Sequence, residues 1–283
     1  LGLENWVPLY MTGQISPYYL KGSQNRIYSH LHYASGQAAM TGDCISGHHE
    51  LAHYYLTSRR EEVAICRKNM QFLLKKAQPL MEIYREERME ELYAFLDADA
   101  KLMGKRRRIL AAPPLFTMKK ELLVSILERA EVAKKRQTQI LEYQKREWQR
   151  MERIFTHSFV EDELAELSEA EYEAYPSILP LAECFFEQDI RLTYAEYRAC
   201  IKSAQDYALQ QEQYRFRLTN AAGFHNIQVL CREGQWCMVS KNRAPAIHFV
   251  IHHPKLREAL ENLVLPIKDT HGVLQFQEKG GGK

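Results

Sequence analysis

The sequence predicts an α+β fold, a mainly helical N-terminal part followed by a C-terminal domain of helices and antiparallel sheet. Three observations predict it. Apolar residues recur at steps of three and four through residues 119–155, as on one face of a helix. Two alternating runs, Ile227-x-Val229-x-Cys231 and Trp236-x-Met238, flank the turn Arg232-Glu233-Gly234, which is the pattern of a hairpin. A third extended run, residues 247–251, follows it, and Pro254 then opens a helix.

Taken in order, residues 1–22 are rich in aromatics and turn formers and read as an irregular segment. Ile27, Leu31, Ala34 and Ala38 have helical spacing, so a helix is expected over 25–40, with Ser23 or Asn25 as its cap. After Thr41-Gly42-Asp43 a second helical stretch is expected over 47–76, capped by Ser46 and ended by Pro79. A short extended piece spans 80–84. A helix over 87–103 carries Met89, Leu92, Phe95 and Leu96, with Gly104 as its C-cap.

The run Lys105-Arg106-Arg107-Arg108, ahead of Pro113-Pro114, reads as a solvated linker and sets a domain boundary. The expected organisation is a helical region over 1–104, an α+β effector-type domain over 105–277 and a disordered tail over 278–283. The seam at 119–155 (Leu123, Ile126, Ala130, Ala133, Gln137, Ile140, Gln144, Trp148, Met151, Phe155) fits one long helix or two with a break near 131–134. It predicts helix pairing within the chain or between chains. Shorter helices are expected at 169–175, at 194–209 behind the cap Thr193, and at 255–264.

The chain has 283 residues, 46% hydrophobic and 26% charged, an ordinary globular composition. Its 38 basic and 36 acidic side chains leave a formal charge of +2, which argues against a module that grips nucleic acid alone. No run reaches the roughly 20 apolar residues of a membrane helix. The six cysteines form no CxxC pair and read as reduced thiols of a cytoplasmic protein, with Cys231 and Cys237 near each other across the hairpin turn. The first residue is Leu1, and the expectation is a chain that begins inside a longer protein.

His49-Glu50-x-x-His53 matches the zincin motif, which on a helix presents two histidines to one zinc ion. No downstream ligand motif follows, so a zinc-dependent hydrolase using His49, Glu50 and His53 stands as the alternative. His253-Pro254-Lys255 imitates part of a phospholipase D motif, but Leu260 occupies the position of the required Asp. Phosphate-binding glycine loops and the GxSxG elbow are missing. No cofactor and no catalytic residue are therefore expected, and the chain reads as a non-enzyme. A helical protein-binding scaffold is the third reading, although no fixed-period repeat supports it.

The string Phe224-His225-Asn226-Ile227-Gln228-Val229, then Gly234-Gln235-Trp236-x-x-Val239-Ser240-Lys241-Asn242, then residues 245–256, resembles the C-terminal regulatory region of Firmicutes regulators that carry an N-terminal Cro/C1-type (Xre) helix-turn-helix. The resemblance spans residues 115–267. It implies a cytoplasmic bacterial transcription regulator, working as a homodimer and responding to a small-molecule or peptide effector. DNA would be reached only through a helix-turn-helix head that this chain does not show. Trp236, Lys241, His248 and His252 are the expected ligand-binding residues, since His248 and His252 lie four apart on a strand and share a face.

Overall fold

A computed structural model describes residues 9–10, 12, 15–20, 27–45, 47–220, 225–265, 267–268 and 274–275. The expected tail at 278–283 and the cap Ser46 lie outside these, as does most of the 1–22 segment. The fold is α+β, as the patterning predicts. The chain divides into two units, Leu1–Leu80 and Met81–Lys283.

The first unit departs from the expected helices. β1 (Tyr18–Tyr19) pairs with β5 (Gln78–Pro79), and β2 (Ile27–Ala34), β3 (Ala39–Ile45) and β4 (His48–Thr57) form an antiparallel sheet. Of the helix expected over 47–76, only α1 (Arg60–Lys76) exists. Two tight connections, at 35–38 and at Gly47 with φ 86°, reverse the chain as hairpins do. Gly42 sits opposite Tyr54 of β4, and a Cβ there would lie 2.9 Å from that ring, so a larger residue would displace the exposed Tyr54 side chain.

The second unit is built on a seven-stranded sheet. Its strands are β6 (Glu82–Tyr84), β7 (Arg106–Leu110), β8 (Val160–Ala165), β9 (Tyr214–Thr219), β10 (Ile227–Arg232), β11 (Trp236–Lys241) and β12 (Ile247–Ile251), in the order β6-β12-β11-β10-β7-β8-β9. The sheet is mixed, whereas the sequence predicts an antiparallel one. β7, β8 and β9 run parallel, and the rest pair antiparallel. Parallel neighbours need long crossovers. α3 (Lys120–Arg129) and α4 (Lys134–Phe155) supply the first, α5 (Glu169–Ala174) and α6 (Tyr194–Gln210) the second. α2 (Met89–Asp99) follows β6, and α7 (Pro254–Glu261) follows β12 with proline in its first turn.

The boundary therefore falls at Leu80/Met81, not at 104/105. The Lys105–Arg108 run is no linker: Arg106–Arg108 belong to β7, in the middle of the sheet. Charged residues enter a central strand because each one finds a partner. Arg106 donates to Asp99 and Ser158, Arg107 is bidentate to Glu163, and Arg108 is bidentate to Asp162. The acidic stretch at 159–167 is β8, registered beside β7.

The 119–155 seam is two helices, and most of its residues are buried within the unit. Leu123, Ile126, Ile140, Met151 and Phe155 are core, while Trp148 is 45% exposed. The seam's glutamines bond backbone carbonyls, Gln137 to Val132 and Gln144 to Met118, so their burial leaves no amide donor unmet. Thr193 and Glu196 close a capping box at α6, and Arg129 grips the same Glu196 carboxylate. Thr193→Ala is expected to cost about 1 kcal/mol, measured as a lower urea midpoint at unchanged m-value.

Cys231 and Cys237 lie opposite each other across β10 and β11 with Cα atoms 4.1 Å apart, and they form a disulfide. The expectation of six reduced thiols fails for this pair because the register of the hairpin makes them direct neighbours. Among the described residues, no helix is long and apolar enough to cross a membrane.

Candidate functional site

Side chains alternate across each strand, so the register sorts the sheet into two faces. Arg106, Arg108, Asp162, Gln228, Trp236, Ser240 and His248 share one of them. α4 supplies Tyr143, Glu147 and Arg150 at helical spacing, and the turn at Ala182–Cys184 supplies Glu183. Phe185, next in the chain, sits at φ 49° and ψ 42°. That left-handed conformation costs a side chain of this size about 1–2 kcal/mol, and strain of this kind gathers where a loop must present a particular group.

Arg150 is the hub. Its Nε donates to Asp97 at 3.0 Å, and its Nη1 donates to both Glu147 and Glu183, the latter at 3.4 Å. The Tyr143 hydroxyl donates to Glu183 at 3.5 Å. Arg108 spends its fork on Asp162, which also accepts from the Tyr214 hydroxyl at 2.8 Å. On the same face, Asp99 accepts from Arg106 and from the Trp236 indole at 2.7 Å, and Arg232 is ion-paired to it.

The charges shift one another. The Glu147 carboxyl is raised to about 7: burial raises it most, Arg150 pulls against that rise and Glu183 adds to it. Burial also works against the charge on Arg150, but the carboxylates of Glu147 and Glu183 outweigh it and raise its pKa. Tyr143 is raised far above the ordinary phenol range by burial and then by the same two glutamates.

Two small cavities of about 50 Å³ each adjoin this cluster and share Arg108, Glu147, Glu183 and Leu230 as walls. One of them is also lined by Tyr143, Gln228 and Asn242. Asn242 is 5% exposed, yet neither its amide nitrogen nor its carbonyl oxygen has a hydrogen-bond partner. The Nη2 of Arg150, at the wall of the other cavity, is likewise without a partner. Buried polar groups are normally satisfied, and each one left unmet costs about 1–3 kcal/mol. Three such atoms, two on Asn242 and one on Arg150, border this pair of cavities. A larger cleft of about 280 Å³, lined by Tyr93, Arg136, Arg146, Phe186 and Glu187 among others, shares the Tyr143 wall.

Of the four residues expected from the sequence, Trp236, His248 and His252 share a face of the sheet and Lys241 does not. Trp236 lines the second cavity, with its indole N–H committed to Asp99. His248 is fully buried in a structural role: its Nε2 donates to the Ala182 carbonyl at 3.1 Å, and its Nδ1 then accepts from Ser240. Burial holds its pKa below the ordinary value. Lys241 falls on the opposite face by register and donates to the Pro245 carbonyl. His252 lies beyond the end of β12, half-exposed, 3.6 Å from Glu82 and edge-on to Phe95. His252 keeps the face expected of it with His248: Glu82, registered beside Val250, and Phe95, packed on Trp236, both lie on that face and both touch His252.

The zincin alternative loses its helix. His49, Glu50 and His53 lie in β4, so the one-turn helical spacing on which the motif depends is absent. Among the described residues, no group of three or more His, Cys, Asp or Glu could hold a metal ion.

Sequence reasoning missed Glu147, Arg150, Glu183 and Asn242. Glu147 and Arg150 are an i,i+3 pair on a helix, which reads as an ordinary surface pair. Comparison of the chain with protein-family models, curated proteins and solved structures finds no match.

Proposed function

We propose that the chain is the sensing body of a bacterial transcription regulator, with the charged cavity beneath α4 as its effector chamber. The observation that carries the chamber is Asn242, an amide 95% removed from solvent with both polar atoms unmet at a cavity wall. A residue that served only packing would do better as leucine. A residue kept for a ligand bears this cost until the ligand arrives. The regulator reading itself is supported by the resemblance of residues 224–256. Coupling would run through α4 and the 182–184 turn, because a ligand touching Glu147 and Glu183 acts on both elements at once. Such a body is expected to work as a homodimer, cytoplasmic, with DNA contacted by a separate head.

The test is a thermal-shift screen of small polar metabolites against the wild type and Asn242→Leu. A true effector at one hundred times its Kd stabilises by about 2.7 kcal/mol, several degrees for a domain of this size. The expected result is a shift in the wild type that disappears in Asn242→Leu. A ligand that shifts both proteins equally removes the chamber from this place.

A further inference from the structure

We infer that the cavity walled by Asn242, Gln228, Glu147, Glu183 and Tyr143 receives an amidinium- or guanidinium-sized cationic head group of a small molecule. The inference rests on the sensing reading above and narrows it to a chemical class.

Size comes first. A single water needs roughly 10–15 Å³ of space measured in this way, so about 50 Å³ admits a group of about four non-hydrogen atoms. Amidinium, guanidinium, carboxamide and carboxylate groups all fall in that range, and hydrogen-bond capacity must separate them.

The Arg108 and Tyr143 donors beside this cavity are spent, and the Asn242 amide nitrogen is not. The Arg108 fork is bidentate to Asp162, and the Tyr143 hydroxyl donates to Glu183. The Nη2 of Arg150 adjoins the other cavity. Acceptors are in surplus. Each carboxylate has about four lone-pair positions, and Glu183 receives only long contacts, at 3.4 and 3.5 Å. The Asn242 carbonyl receives nothing. A carboxylate ligand would bring more acceptors against two glutamates and is excluded by charge. A carboxamide would satisfy Asn242 but leave Glu147 and Glu183 sharing the single guanidinium of Arg150. A planar cation with N–H groups on several edges meets both demands, as fork-shaped cations do wherever carboxylates must be bridged. The Asn242 amide nitrogen adds a requirement for one acceptor on the same molecule, beside the cationic head.

The groups facing Glu147 are Arg150 and Tyr143 on its own helix, Glu183 from the turn, Arg108 from β7 and Asp97 from α2. A cation in the cavity therefore competes with the proton that Glu147 takes up around pH 7.

Calorimetric titration of the full chain with acetamidinium, and with its neutral and anionic isosteres acetamide and acetate, at constant ionic strength, tests the inference. Acetamidinium is expected to bind once per chain at pH 8, at least tenfold tighter than either isostere. Its affinity is expected to fall about tenfold between pH 8 and pH 6, following the ionised fraction of a carboxyl that titrates near 7. Glu147→Gln and Glu183→Gln, both isosteric and checked for folding by circular dichroism, should each weaken binding at least tenfold. Glu147→Gln should also abolish the pH slope. Equal or tighter binding of acetamide or acetate overturns the inference. So does an unchanged pH slope in Glu147→Gln, or no acetamidinium binding at tens of millimolar. Should another small molecule still stabilise the protein through Asn242, only the cationic class falls. Should Asn242→Leu alter no ligand's effect, the chamber falls with it.

Discussion

Asp162→Ala is expected to destabilise the Met81–Lys283 unit by about 3–5 kcal/mol, the largest effect of any single substitution in the charged layer. Asp162 has no solvent exposure, and the side chain of Arg108 is 12% exposed. Removing the carboxylate strands a guanidinium in the sheet interior and takes the acceptor from Tyr214. Glu147, on the helix above, attracts Arg108 but is itself partly protonated near neutral pH, so it compensates only in part. The penalty belongs to the orphaned charge, not to any large net value of the pair, since desolvating both ions offsets most of their attraction. The double variant Arg108→Leu/Asp162→Leu should therefore be more stable than Asp162→Ala, recovering at least half of the loss. Urea denaturation of the three proteins decides. A loss below 1 kcal/mol in Asp162→Ala, or a double variant worse than the single, would contradict the assignment.

The same layer shows how far the sequence could be read. Where an element's own patterning decides its structure, the sequence was sufficient. The β10–β11 hairpin, β12, α2, α6 with its Thr193 cap and α7 with its leading proline all stand where alternation, capping and proline placed them. The strands β2 to β4 were not legible, because Ile27, Leu31, Ala34 and Ala38 satisfy a helical spacing, although the first three lie on β2 and Ala38 in the turn after it. The competing signals were the glycines at 36, 42 and 47 and the tyrosines at 28, 33, 54 and 55, which favour turns and strands. Arg106–Arg108 read as a linker because charge normally means solvent. Its complement was in view in Glu161-Asp162-Glu163, a second run of the same length and opposite sign, and such a pair of runs can form adjacent buried strands. The candidate site was hardest to foresee. Arg108, Glu147, Glu183 and Asn242 come from a strand, a helix, a turn and a strand end, and only the tertiary fold assembles them.

Glu147 gives the second large expected effect, and its sign follows from the direction of its shift. Its carboxyl titrates at about 7 in the folded protein against 4.5 ordinarily, because burial disfavours its charge more than Arg150 favours it. A carboxyl raised on folding binds its proton more tightly in the native state, so its contribution is fully present below pH 4.5 and is lost as pH rises through 7. The difference corresponds to about 3 kcal/mol at one pH unit per 1.36 kcal/mol. Carboxylates with lowered pKa values, such as Glu196 in its capping box, act in the opposite direction, so the raw pH profile of the wild type mixes both. Comparison with Glu147→Gln isolates the one group, because the amide is neutral throughout. The wild type and the variant should differ little at pH 4.5, and the variant should gain steadily to an advantage of up to about 3 kcal/mol by pH 8. Parallel stability profiles across that window would place Glu147 in an environment no different from water. A wild-type advantage that grows with pH would mean that Arg150 dominates and that the carboxylate is held ionised. The first outcome removes the buried proton on which the competition with a cation depends, and the second leaves the cavity already neutralised without a ligand. The slope of this difference curve thus bears on the fold's electrostatics and on the head-group proposal together.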